Sequence, residues 1–321
     1  MKYYFLTNPA AGKKNSCNEL CNAIDKACGN KDILYEIYQT TCIGDATRFV
    51  KEKCENNYDN DELCFFACGG DGTLNEVVSG AIGYPFASVG LIPKGTGNDF
   101  VRNFTHGELF FDIGAQLCGS SLTVDILKCN EKYAINMVNI GFDCEVVKKM
   151  VQIKRSPLVP SKLAYIFALV ITLIKKPGVR AEISVDKNEF KQNDLLLTTI
   201  ANGCFCGGGF HSNPNAYLTD GNIDSLFVKN VSRTKFLGLV SSYKKGTHIV
   251  PKNADILSAN VSKTIDMVFP SLQSISIDGE LHDINHDLHI EVLHGALNFV
   301  LPKGSALAKN QPSHDILSAT V

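Results

Sequence analysis

The sequence predicts a two-domain α/β protein. It has an N-terminal domain with a parallel sheet and glycine-rich loops, then a mostly antiparallel β-sandwich domain with a helical insertion. Three observations carry that expectation. Strand-like and helix-like patterns alternate through the first third, short β runs joined by turn residues take over after about Leu122, and 321 residues suffice for one large or two ordinary domains.

The first strand, KYYFLTNP, is followed by apolar residues at helical spacing from Ser16 to Cys28. The βα order recurs in ILYEIYQT with GDATRFVKEKCEN, in ELCFFAC with GTLNEVVSGAI, and in ASVGLIP with TGNDFVRNF. Four such units favour a parallel sheet covered by helices, assigned here to residues 1–125. Beyond it, TVDILKCN/EKYAINMVNIGF, AEISVDKNEF, DLLLTTIANG, NIDSLFVKN, IDMVFP, SISIDGEL and HIEVLHGALNFVLP read as strands of a second domain, residues 126–300. Cys144 to Lys176 is helical in pattern and is taken as the insertion. Apolar periodicity fades after Pro302, and the segment 300–321 is expected to fray or to pack back on the first domain.

With 31 basic and 33 acidic side chains the net charge is −2, which argues against nucleic acid as the partner. Twelve cysteines are scattered through a chain able to build its own core, and MKYYFLTNPAAGKK has no secretory apolar stretch, so a cytoplasmic protein is expected. None of the pairs Cys17/Cys21, Cys64/Cys68 and Cys204/Cys206 has zinc-knuckle spacing, and small core residues are the better reading. The longest apolar run, Leu163 to Ile174, falls short of the roughly 18 to 20 residues that span a bilayer.

Glycine-rich loops fall at three strand-to-helix corners: Asn8-Pro9-Ala10-Ala11-Gly12, Gly69-Gly70-Asp71-Gly72-Thr73-Leu74-Asn75, and Pro93-Lys-Gly-Thr96-Gly-Asn-Asp99-Phe100. Ligands of open α/β sheets bind beyond the carboxyl ends of the strands, where loop amides and helix N-termini suit phosphate. Thr73 and Glu76 have capping-box spacing. Asp71 among phosphate-binding amides makes sense if Mg²⁺ or its water shell lies between carboxylate and phosphate. The plain alternative is a tight turn with an Asp cap. GxxxxGK[ST], a complete GxGxxG and the protein-kinase HRD and DFG signatures are all absent.

NPAAGK, GGDGTLNEV and IPKGTGNDFVR, in this order and with IDGE far downstream, resemble the bacterial soluble diacylglycerol/lipid kinase family. NAD kinases and phosphofructokinases share GGDG, while GTGNDF and the late DGE favour the lipid-kinase branch. The resemblance implies ATP in a cleft between two domains, touching Asn8 to Gly12, Thr40, Gly69 to Asn75 and Thr96. It implies a water-mediated Mg²⁺ network of Asp71, Asp99 and Asp125, for which helix capping and a turn-edge carboxylate are the alternatives. It makes Glu280 the base and Asp278 its orienter or a metal-shell member, where the alternative is a DG turn joining hairpin strands. It also suggests a structural Mg²⁺ held by Asp220 with backbone oxygens of Tyr217 and Asn222, a loop that otherwise reads as a hairpin. His282, His286, His289 and His294 lie in turn and strand patterns that would not converge on a metal, so they read as solvated edge residues.

Val146 to Ala181 contains no acidic residue and includes Lys148, Lys149, Lys154, Arg155, Lys162, Lys175, Lys176 and Arg180 around the apolar run. A basic collar on an apolar helix suits the anionic inner face of a membrane, and a buried core helix is the equal alternative. The expectation is therefore an ATP- and Mg²⁺-dependent kinase of a lipid hydroxyl at a membrane surface, diacylglycerol first, yielding phosphatidic acid. An NAD kinase-type phosphotransferase or a non-catalytic nucleotide sensor are the alternatives. A homodimer is left open.

Overall fold

A computed structural model describes residues 1–11, 16–29, 33–59, 61–154, 172, 178–188 and 191–308. The chain forms two compact units. Among the described residues, the first comprises Met1–Ile126, Leu218–Asp220 and 293–308, and the second comprises those of Leu127–Tyr217 and Gly221–Val292.

In the first unit, strands β1 (Lys2–Thr7), β2 (Tyr35–Gln39), β3 (Leu63–Gly69) and β4 (Ala87–Pro93) pair in parallel in the order β2-β1-β3-β4. The carboxyl half of β15 (Asp287–Leu301) adds a further parallel strand beside β4. Every residue of β3 is buried, as an uninterrupted apolar run requires in a parallel strand covered on both faces. Helices α1 (Ser16–Gly29), α2 (Asp45–Glu55) and α3 (Asp71–Ala81) follow their strands as the alternation predicts. Phe66 stacks on Phe5 at 5.0 Å, and the ring lies where a Cβ on Gly90 would be, 2.2 Å from it, so β4 must carry glycine there.

The fourth corner differs from expectation. TGNDFVRNF makes only a 3-10 turn, Phe100–Asn103, before a second turn and the short helix α4 (Ile113–Leu117). Asn98 sits at φ 48°, and Phe100 is held edge-on against Phe299 at 5.1 Å, within a cluster that includes Phe104 and Phe110. That aromatic anchor fixes the chain direction where a longer helix would carry it away. Residues 305–308 return beside it, with Ala308 N donating to Asn103 O at 2.8 Å.

The second unit is an antiparallel sandwich. Its strands are the end of β5 (Ser120–Cys129), β6 (Lys132–Ala134), β7 (Met137–Gly141), β8 (Val179–Val185), β9 (Lys191–Ala201), β10 (Ile223–Lys229), β11 (Leu257–Ser262), β12 (Thr264–Val268), β13 (Gln273–Ile277), β14 (Glu280–Ile284) and the start of β15. β9 is central, pairing with β7, β8 and β10. One apolar cluster includes Val138, Ile140, Leu195, Ile200, Ile265 and Ile290, and another gathers Phe142, Leu226, Phe236, Leu239 and Tyr243.

Helix α5 (Phe142–Lys154) opens the expected insertion, and the apolar run Leu163 to Ile174 lies outside the described residues except Thr172. Among the described residues no helix is long and apolar enough to cross a membrane. Helix α6 (Arg233–Lys245) was not expected, although its signals are present in the sequence. Ser232 Oγ accepts from Lys235 N, Gly246 ends the helix at φ 71°, and Phe236, Leu239 and Tyr243 share the buried face. None of the twelve cysteines forms a disulfide among the described residues.

Beside α6, His248 is fully buried with its ring 4.9 Å from that of Tyr243. Burial pushes its pKa down to about 4, against a weaker opposing pull from the Ser242 and Ser212 backbone. The folded chain thus keeps this ring neutral where the unfolded chain, near 6.5, takes up a proton. Stability is full above pH 6.5 and falls as the pH drops toward 4, by about 3 kcal/mol at that end. Urea unfolding at pH 7 and pH 4.5 measures this, and H248Q is expected to flatten the dependence.

Candidate functional site

The loops after β1, β2, β3 and β4 are fastened to each other. Asn8 follows β1, and its N donates to Cys68 O at 3.3 Å while its Oδ1 accepts from Ala10 N at 2.9 Å. Its Nδ2 donates to Thr73 Oγ1 at 3.1 Å, which joins the first loop to the third. Pro9 and Ala10 are exposed, and Gly12 lies outside the described residues. Thr40 is buried, and its N and Oγ1 both donate to Thr7 O, at 2.9 and 3.3 Å. Beside it, Asp45 accepts from Thr41 N at 2.8 Å and from Arg48 Nη2 at 2.7 Å. Those bonds, Thr41's first, hold the Asp45 carboxyl down to about 2.

Helix α3 starts earlier than the capping-box spacing suggests. Gly70 is its N-cap, in extended backbone, and no side chain caps the helix. Thr73 is instead buried in the first turn and bonded to Asn8, and Glu76 Oε2 accepts from Ala46 N of α2 at 3.1 Å. Leu74 also departs from its expected role. It is fully buried and its N donates to Gly70 O at 3.0 Å, so both side chain and amide are committed to the helix. What faces outward is an amino end without a side-chain cap, the element of structure best suited to an anion.

The third and fourth loops touch through glycine. Lys94 N donates to Gly69 O at 2.7 Å, and a Cβ on Gly95 would lie 2.6 Å from Gly70 Cα. A Cβ on Gly69 would lie 2.3 Å from Thr73 Oγ1. No side chain can be inserted at either position without moving backbone. Thr96, at the tip of the fourth loop, is exposed.

Two carboxylates meet at this junction. Asp71 Oδ2 accepts from Asp99 N and Oδ1 from Phe100 N, both at 3.2 Å, so the helix-opening aspartate also caps the 3-10 turn of the next loop. Asp99 is buried, with Arg102 Nε 3.4 Å from its Oδ1. A Cβ on Gly97 would lie 3.3 Å from Asp71 Oδ2 and 3.6 Å from Asp99 Oδ2, so the two carboxylates flank a space kept bare by glycine. That donor set suits a hard, hydrated divalent cation. Among the described residues no three His, Cys, Asp or Glu side chains gather closely enough to ligate a metal directly.

Asp125 is fully buried in β5. Its Oδ1 lies 2.8 Å from His294 Nδ1 and accepts from Gly295 N at 2.7 Å, while its N donates to Leu218 O at 2.7 Å. His294 is therefore more than a solvated edge residue. Its partner is 169 positions away, and no local pattern announces the contact. His289 Nδ1 similarly lies 2.6 Å from Asp266 Oδ1, and His286 Nδ1 lies 3.2 Å from Phe269 O. In the 217–222 loop, Tyr217 and Asp220 are exposed, Asn222 is half-buried, and the Lys263 ammonium donates to Gly221 O.

The second unit holds the remaining candidates. Ile277 pairs with Glu280 across a two-residue turn, Asp278 at φ 46° and Gly279 at φ 90°, the Asp-Gly pair that such hairpins favour. The hairpin reading therefore holds for the backbone. Asp278 is buried, its Oδ2 accepting from Ile135 N at 2.9 Å and its Oδ1 from Asn136 N and Met137 N at 3.0 and 2.9 Å. Three backbone amides take both oxygens, so Asp278 orients the turn. Asn136 and Asn202, unforeseen in the sequence, extend this network through Asn202 Nδ2 to Ile135 O at 2.8 Å. Glu280, half-buried, opens β14 next to the turn that Asp278 fixes.

Residues 2–129 match the diacylglycerol kinase catalytic domain, and residues 136–301, more than half of the chain, match the YegS C-terminal NAD kinase beta sandwich-like domain. The chain belongs to the diacylglycerol kinase family of lipid kinases. It is 27% identical over 295 residues to the diacylglycerol kinase of Bacillus subtilis (strain 168), covering 88% of this chain and 93% of that protein. A crystal structure of diacylglycerol kinases from Bacillus anthracis str. Sterne has the same fold, with a TM-score of 0.66 at 21% identity over 93% of this chain and 96% of the other. In this lipid kinase the buried Asp278 carboxylate supports backbone first. D278N is expected to cost about 3 kcal/mol of stability in chemical denaturation, because buried amides lose a charged acceptor.

Proposed function

We propose that the chain transfers the γ-phosphate of ATP to the free hydroxyl of diacylglycerol, giving phosphatidic acid and ADP, with Mg²⁺. The observation that carries this reading is the junction of the two glycine loops. Gly70 and Gly95 meet backbone to backbone beside the α3 amino end, while Asp71 and Asp99 flank the bare position at Gly97. Loop amides and a helix N-terminus suit the phosphates of the nucleotide, contacted by the 8–12, 69–75 and 96 segments. Mg²⁺ held through water by Asp71 and Asp99 would offset charge on the transferring phosphoryl group. Asp125, fixed by His294 and Gly295, completes this acidic network. A structural Mg²⁺ in the 217–222 loop, held by Asp220 with backbone oxygens of Tyr217 and Asn222, belongs to the same proposal.

In the proposed step the lipid hydroxyl oxygen bonds to the γ-phosphorus and the bond from phosphorus to the β,γ-bridging oxygen breaks. The hydroxyl proton passes to Glu280, and ADP leaves with the bridging oxygen. Asp278 sets the backbone from which Glu280 projects. The name of the Bacillus subtilis relative supports diacylglycerol as acceptor. A lipid acceptor places the work at a membrane surface, with 146–181 as the contact.

E280Q is expected to lower turnover on micellar diacylglycerol by at least about a hundredfold while leaving ATP affinity within about twofold. Turnover near wild type would remove Glu280 as the base. G95A forces backbone apart at Gly70 and is expected to cost on the order of a hundredfold in turnover, together with a weaker ATP-induced thermal shift.

A further inference from the structure

A cavity of about 390 Å³ in the second unit lies apart from the residues assigned to nucleotide, cation and proton transfer. Its lining is mostly polar and includes Gly178, Arg180, Asp194, Asn230, Ser271 and Gln273. Arg180 on β8 stands directly across from Asp194 on β9, yet among the described residues it makes no ion pair. The Asp194 carboxylate is occupied otherwise, accepting from Asn230 Nδ2 at 3.2 and 3.3 Å. That orientation leaves Asn230 Oδ1 buried and without a hydrogen-bond partner among the described residues. Gly178 forms part of the wall, where a Cβ would lie 2.7 Å from Asn230 Nδ2.

The chemistry of this lining is specific. An exposed guanidinium with no carboxylate partner suits a phosphate, which it binds in a forked geometry. The exposed Asp194 carboxylate beside it calls for hydroxyl donors on the same ligand. The chain reaches this cavity directly from a stretch between Val146 and Gly178 with seven basic and no acidic side chains. We propose that this cavity is a second, non-catalytic site that binds a glycerol phosphodiester, supplied by the headgroup of phosphatidylglycerol in the membrane. The phosphate sits on Arg180, and glycerol hydroxyls donate to the Asp194 carboxylate. The site rests on the reading of the chain as an enzyme of membrane lipid, and it gives that surface headgroup selectivity in addition to charge attraction.

The test is co-sedimentation of the full chain with phosphatidylcholine vesicles, alone or containing phosphatidylglycerol or phosphatidic acid. Wild type should be retained more by phosphatidylglycerol than by phosphatidic acid, which has charge but no glycerol headgroup. R180Q should lower retention on phosphatidylglycerol on the order of fivefold. D194L should erase the preference over phosphatidic acid. If R180Q fails to give a wild-type melting curve, R180K decides, since a lysine keeps the charge and loses the fork. Equal retention on the two anionic lipids, or wild-type behaviour of the arginine variant that folds, overturns the proposal. Displacement from phosphatidylglycerol vesicles by soluble glycerophosphoglycerol supports headgroup recognition. Binding of that diester without any vesicle retention overturns the membrane source. Wild-type turnover on micellar diacylglycerol is measured alongside. Absent turnover with intact headgroup preference sinks the substrate reading alone, and turnover without the preference sinks this site alone.

Discussion

The Asp71 carboxylate is the joint on which the first unit's loops depend. It opens α3 and, through its two oxygens, accepts the amides of Asp99 and Phe100 that start the next turn. Two bonds to one carboxylate, each to a charged acceptor, tie the third loop to the fourth. Glycine is the necessary complement. Only with hydrogen at Gly95, where a Cβ would lie 2.6 Å from Gly70 Cα, can the two backbones come this close. Asn8 extends the same logic to the first loop through Thr73.

The second unit solves a similar problem with a different carboxylate. Asp278 holds a tight hairpin turn at positive φ and collects three amides from 135–137, so the adjacent Glu280 starts from a fixed backbone. In each unit an aspartate is used to immobilise backbone, and the residue given a chemical role lies next to what it immobilises. A lipid kinase built this way keeps reactive carboxylates from drifting, since orientation of reacting groups supplies much of a phosphoryl transfer barrier reduction.

Charge is divided along the chain in a way the net figure hides. Acidic side chains gather beside the glycine loops. One basic stretch, 146–181, has eight basic and no acidic side chains and includes Arg180, whose neighbour across the sheet is engaged by Asn230. In the proposed sites a phosphate-bearing nucleotide and a phosphate-bearing lipid surface would call on opposite local solutions, a helix amino end with carboxylates in one case and direct arginine contact in the other.

Much of this was legible in residue order. The βα alternation, the glycine loops, the switch to antiparallel strands and the family motifs are local patterns, because periodicity and turn chemistry act over a few residues. Helix α6 was equally legible, with a serine cap and a terminal glycine, and was masked by the β-like runs on either side. What the sequence could not decide are contacts that close long loops. These include Asp125 with His294, Asp278 with Ile135 to Met137, Leu74 turned into the core, and the glycine-to-glycine approach at Gly70 and Gly95. The sequence by itself determined which residues carry carboxylates, glycines and basic charge, and in what order. Only the tertiary structure decided which carboxylates are spent on backbone amides, because hydrogen-bond partners are chosen by distance in space, which packing sets and residue order does not.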